Sequence, residues 1–185
     1  MRILLWYWGR RGGGAQFALG LARALALQPG VAVRLSLSAQ LEGIEAFRAL
    51  GLPLQTVETY RSRASFLAAL PRLPARRRAL LAAAGEADVV LSAMTHLWTP
   101  LIAPALAQAG YAFVPVVHDA TPHPGDAGLF WDWRLGRELG AARAAVALSD
   151  SVAQALAARA PIRGSTCCAM PGLCSSLATP IRACW

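Results

Sequence analysis

A chain of 185 residues that is 56% apolar and only 15% charged can bury one sizeable core, which excludes a disordered protein. All 18 basic residues are arginine and the formal charge is +8. With the wealth of Ala, Gly and Pro, this reads first as the coding bias of a GC-rich genome; no aromatic ladder accompanies the arginines, so the composition argues against nucleic-acid binding.

In chain order, residues 2–8 form a short apolar run that predicts a strand. Residues 9–14 (GRRGGG) are a glycine-rich turn, and 15–28 carry an Ala/Leu-rich helical pattern. Residues 31–37 predict a second strand, 41–50 a helix stopped by Gly51, and 54–58 a third strand. An arginine-rich stretch broken by Pro71 and Pro74 supplies one or two helices before a fourth strand at 88–91. Residues 99–109 predict a helix opened by Pro100, and 111–117 a fifth strand. After a loop come a helix at 129–140, a sixth strand at 144–148, and a helix at 149–159 with Ser149 as N-cap. Short apolar strands alternating with helices imply an α/β fold: a doubly wound, mostly parallel, Rossmann-like sheet over residues 1–160, followed by an irregular tail at 161–185. The apolar run after Arg2 ends too soon for a secretory signal. Pro100, Pro104, Gly110 and Pro115 divide the uncharged interval 89–117 into a buried βαβ unit, not a membrane span. The expected location is cytoplasmic.

In such a sheet, ligands bind beyond the carboxyl ends of the strands. That rule selects the loops at 9–14, 92–98 and 118–126. A strand that runs through a flexible turn into a helix gathers backbone N–H groups and the positive end of a helix dipole, which suits a phosphate. The loop is not the G-x-G-x-x-G dinucleotide fingerprint, and the absence of lysine excludes a Walker A loop. The third loop, HDATPHPGD, is dense in proton-handling groups: His118, Asp119, His123 and Asp126. A histidine at the end of a buried strand beside an aspartate can orient or accept a substrate proton; the structural alternative is that His118 caps the strand and Asp126 the next helix. His96 is a lone loop histidine, for which packing roles compete with binding. The histidine spacing predicts no metal site, and no G-x-S-x-G elbow is present. Arg61, Arg63, Arg72, Arg76, Arg77 and Arg78 occur without an acid among them and alternate with leucines. Such a segment suits an anionic membrane surface, or it is a solvated helix face.

The opening MRILLWYWGRRGGGAQFALGLARALA, the strand end VPVVHDATPHPG and the stretch AARAAVALSDSVAQAL, in that order, resemble the N-terminal half of GT-B fold glycosyltransferases of family 4. The resemblance spans residues 1–160. It implies transfer of a hexosyl group from a nucleotide-sugar donor to a glycan or lipid-linked acceptor, with no cofactor or metal. It places Gly12, Gly13 and Gly14 at the donor diphosphate with Gln16 close behind, His118 beside the donor sugar, and Asp119 and His96 at the acceptor. It also implies a second, nucleotide-holding Rossmann domain. The chain ends before such a domain begins, so a truncated transferase with little or no activity of its own is expected. Two other classes remain open. A nucleotide-dependent oxidoreductase needs a ribose-binding acid after strand two, where Ser36–Gln40 offers none and Glu42 is the nearest. A non-catalytic binding domain would use the basic segment.

All four cysteines, Cys167, Cys168, Cys174 and Cys184, lie in the tail, with neither zinc-module spacing nor an oxidising context. We hypothesise a frameshift near Arg163, because a shifted frame of 164–170 can encode Val-His-Val-Leu-Arg-His-Ala; the alternative is a disordered tail. Downstream DNA lacking a second Rossmann half in every frame would refute the frameshift.

Overall fold

The computed structural model describes residues 1–122, 128–159 and 167–169, apart from the side chains of residues 63, 64 and 167–169. The chain divides into two units, Met1–His96 and Leu97–Trp185.

In the first unit, β1 (Arg2–Tyr7) is buried from Ile3 to Tyr7, as a strand with parallel neighbours and both faces covered must be. It pairs in parallel with β2 (Ala32–Ser38), Leu5 opposite Leu35, and with β4 (Val89–Ser92), Leu5 opposite Leu91. β3 (Leu54–Val57) pairs with β2, giving the order β3-β2-β1-β4. α1 (Gly13–Ala26) buries Ala18, Leu21, Ala22 and Leu25, the stripe expected of an amphipathic helix covering a sheet. The helix predicted at 41–50 shrinks to α2 (Ile44–Arg48). Leu41 N turns back to Ser38 O, Glu42 N donates to Arg10 O at 2.8 Å, and Gly43 adopts φ 72° as the N-cap. The arginine-rich stretch becomes α3 (Arg63–Ala69) and α4 (Leu73–Ala84), separated by a 3-10 turn at Leu70–Arg72. Ser62 and Ser65 form a reciprocal capping box at the start of α3. Pro71 sits in the 3-10 turn and Pro74 in the first turn of α4, where a missing N–H costs nothing.

The second unit runs α5 (Thr99–Gln108), β5 (Ala112–Val117), α6 (Gly128–Ala141), β6 (Ala145–Ala147), α7 (Asp150–Arg159) and β7 (Cys167–Ala169). β5 pairs in parallel with β6, and β6 with β7. Val117, Trp131, Leu135, Leu139, Ala147 and Leu156 form its core. Ser149 caps α7 by accepting from Val152 N at 3.3 Å. β7 lies inside the stretch expected to be irregular. Cys-Cys-Ala has no alternation to signal a strand, and its register comes from the partner, Val146 opposite Cys168. Among the described residues no helix is long and apolar enough to cross a membrane.

Candidate functional site

β1 delivers Tyr7 and Trp8, both buried, to the start of the glycine-rich loop. The glycines are required for different reasons. A Cβ on Gly9 would lie 2.3 Å from the Tyr7 hydroxyl. Gly12 has φ 82° and ψ −164°, a conformation that L side chains rarely adopt. Gly14 is buried, and a Cβ there would lie 2.5 Å from Met94 Sδ and 3.1 Å from the Tyr7 hydroxyl. At Gly13 a Cβ meets no atom within 4 Å. Gly12 is the N-cap of α1; no side chain caps this helix and its first turn has no acid, so the positive end of its dipole is not neutralised locally. Gln16 follows on an exposed position of α1. Met94 brings the loop after β4 against the glycine loop, so two of the three selected loops meet in this unit.

The ends of β2 and β3 are tied by hydroxyl and amide groups, with one carboxylate, Glu58, at the edge of the network. Trp8 Nε1 donates to Ser36 Oγ at 3.1 Å, and the Ser38 and Thr59 hydroxyls share a hydrogen bond of 2.7 Å. Gln40 Oε1 accepts from Thr59 N at 2.7 Å, while its amide donates to Glu58. β2 therefore ends on an occupied serine with no carboxylate directly after it, and Glu42 is exposed, which disfavours the dinucleotide reading.

His96 is buried, with its ring 6.4 Å from Trp8 and 5.2 Å from Tyr60. Tyr60 in turn meets Phe66 edge-on at 5.0 Å, and the Arg10 guanidinium lies 5.8 Å over the Tyr60 ring while donating to Arg61 O at 2.6 Å. Burial first, and the Arg10 charge second, push the His96 imidazole down to about 3. It is neutral at ordinary pH and is no proton shuttle there. The aromatic box of Trp8, Tyr60 and Phe66 was missed in the sequence, because its members come from the ends of separate elements and share no spacing.

His118 and Asp119 follow β5 directly, half-buried and exposed respectively, at the predicted strand end. They belong to the second unit, whereas Gly12, Gly13, Gly14, Gln16 and His96 belong to the first. His123 and Asp126 lie outside the described residues. Among the described residues no three His, Cys, Asp or Glu side chains gather to hold a metal ion.

The basic segment needs one correction. Arg76 does not contribute to an outward basic face: it is buried, its Nε donates to Glu58 O and another guanidinium N–H to Ala69 O at 3.1 Å. At its place on α4 the guanidinium satisfies backbone carbonyls, a buried task that an alternation of arginine and leucine does not reveal. Arg61, Arg72, Arg77 and Arg78 are exposed, and the Arg63 side chain is outside the description.

The model of Glycosyltransferase Family 4 matches residues 11–171, a span that includes β7. No curated protein sequence matches the chain. Among solved structures, HepE of Anabaena in complex with UDP is 16% identical with a TM-score of 0.64, covering 91% of this chain and 44% of its own. UDP-GlcNAc 2-epimerase from Neisseria meningitidis, bound to UDP-GlcNAc, is 10% identical with a TM-score of 0.62, covering 90% and 45%. The lipopolysaccharide outer core galactosyltransferase WaaB is 12% identical with a TM-score of 0.58, covering 90% and 44%. The chain thus spans less than half the length of these structures, and the likeness shows the fold, the Rossmann-like half of a GT-B architecture. An epimerase shares that fold, so fold alone does not separate transfer from epimerisation. The family match is specific where the fold is not: this chain belongs to glycosyltransferase family 4.

Proposed function

We propose that residues 1–160 form the acceptor-side domain of a transferase that moves a hexosyl group from a nucleotide sugar to a glycan or lipid-linked acceptor. The observation that carries this reading is the start of α1, where Gly12–Gly14 leave an uncapped helix end at the carboxyl edge of β1. As the sugar acquires oxocarbenium character, negative charge grows on the departing diphosphate, and N–H donors held in place at Gly13 and Gly14 act where it grows. Gln16, exposed just behind, completes this lip. Backbone donors and a helix dipole carry the leaving group's charge, so the proposal invokes no metal. His118 stands beside the transferred sugar and Asp119 contacts the acceptor. His96, neutral and packed between Trp8 and Tyr60, shapes the acceptor wall without exchanging protons. The nucleotide is held by a second Rossmann half.

The test is release of nucleoside diphosphate from a nucleotide sugar and acceptor by the chain joined to a donor-binding half. UDP-sugars are the first donors to try, because matched structures hold UDP, UDP with glucose, or UDP-GlcNAc. His118→Ala is expected to lower turnover by about a hundredfold with an unchanged urea midpoint. Unchanged turnover would remove His118 from the mechanism, and no release from any nucleotide sugar would defeat the proposal.

A further inference from the structure

α6 has two unlike sides. Trp131, Leu135, Glu138 and Leu139 turn inward, while Leu129 is 91% exposed, Phe130 48% and Trp133 43%. Positions 129, 133, 136 and 140 follow helical spacing, so the exposed stripe runs from Leu129 and Trp133 along Gly136 and Gly140. A Cβ on either glycine would meet no atom within 4 Å, which leaves the stripe low and flat beyond the aromatic end. The Phe130 and Trp133 rings are stacked, with centroids 5.6 Å apart and planes 29° apart. Trp6, Trp8, Trp98 and Trp131 are all buried, so Trp133 is the exposed tryptophan among the described residues.

A helix face that only meets water carries polar residues, and large apolar groups clustered on one exposed side mark a docking surface. The charge around the cluster selects the occupant. Arg137 is exposed, its guanidinium lies 5.9 Å from the Trp133 ring, and its Nε donates to Pro100 O at 3.1 Å, which fixes a cation beside the aromatic plate. Asp132, the acid on the exposed side of α6, is bridged to Arg159. The chain as a whole carries +8. Leucine, phenylalanine and tryptophan partition to the boundary between headgroups and acyl chains, and a neighbouring arginine reaches lipid phosphates from that depth.

We propose that the exposed face of α6 docks this protein on an anionic membrane surface, with Leu129, Phe130 and Trp133 inserted and Arg137 at the phosphates. This surface lies on the second unit, whereas the basic segment of α3 and α4 lies on the first.

The test is cosedimentation of the 185-residue chain with vesicles of phosphatidylcholine alone or mixed equally with phosphatidylglycerol. The chain is expected to bind the mixed vesicles, about tenfold more weakly the neutral ones, and less as salt rises. The variant Leu129→Gln, Phe130→Ser, Trp133→Gln is expected to lose about tenfold or more in partitioning with an unchanged urea midpoint. Arg72→Ala, Arg77→Ala, Arg78→Ala is expected to change binding less than the α6 variant does. A readout that needs no polar substitution is the blue shift of tryptophan emission on adding mixed vesicles, measured with Trp185→Phe as the parent, which adding Trp133→Phe should abolish while binding persists. The proposal is overturned by a chain that does not sediment with the mixed vesicles, or by an α6 variant that binds like the parent. It is equally overturned if the arginine variant is the one that loses binding, or if light scattering shows that α6 pairs two copies of the chain and vesicles leave Trp133 emission unchanged.

Discussion

Substituting alanine for Gly12, Gly13 and Gly14 one at a time separates the structural demand for glycine from the chemical one. Gly12 sits at φ 82° and ψ −164°, a region that costs an L residue about 1–3 kcal/mol. Gly13 heads α1 without a positive φ, and a Cβ there meets nothing within 4 Å, so Gly13→Ala should stabilise by about 0.5 kcal/mol through the unfolded chain. Gly14→Ala forces a methyl to 2.5 Å from Met94 Sδ. Overpacking of that kind costs about 1–3 kcal/mol, and the mobile end of a methionine and the gain in helix propensity offset part of it. Urea unfolding followed by circular dichroism reads the series; with a slope of about 2 kcal/mol per molar, the Gly12→Ala and Gly13→Ala midpoints should differ by about 1 M. In the transferase assay the order inverts for Gly13. The stabilised Gly13→Ala protein should lose about tenfold or more in nucleoside diphosphate release, because its methyl stands where the diphosphate approaches. Equal destabilisation of Gly12→Ala and Gly13→Ala would refute the geometric reasoning. Full activity in a stable Gly13→Ala protein would show that the loop does not receive the diphosphate.

Two more predictions concern groups whose roles the fold determines. His96 is held down at about 3 against 6.5 when unfolded, so the unfolded state binds the proton more readily. Its effect is absent above about pH 6.5 and destabilises as pH falls from there toward 3, with a slope approaching ~1.4 kcal/mol per pH unit. A pH series of urea midpoints should be visibly flatter over that range for His96→Gln, and parallel curves for the two proteins would disprove the burial of a neutral imidazole. Adjacent arginines on α4 should behave oppositely. Arg76→Ala should cost about 2–3 kcal/mol by stripping buried carbonyls of a charged donor, whereas exposed Arg77→Ala should stay within about 0.5 kcal/mol; comparable thermal midpoints for the two variants would contradict the assignment.

Much of the fold was legible because it rests on local periodicity. Ile3–Trp8 could be read as a buried strand from continuous apolarity, and α1 from the spacing of Ala18, Leu21, Ala22 and Leu25. The position of Ser149 as a cap and the division of the arginine-rich stretch at Pro71 and Pro74 followed from single-residue stereochemistry. β7 was not legible, since three residues paired to an existing edge carry no pattern of their own.

By itself, the sequence determined the order of strands and helices, the glycine loop at the end of β1 and the histidine at the end of β5, because each depends on neighbours along the chain. Only the tertiary structure decided which glycine is open and which is packed, that His96 lies neutral among Trp8 and Tyr60, that Arg76 points inward, and that Leu129, Phe130 and Trp133 face out. Those properties depend on what distant segments place against a residue, and burial, desolvation and steric contact have no signature in the chain until the sheet brings those segments together.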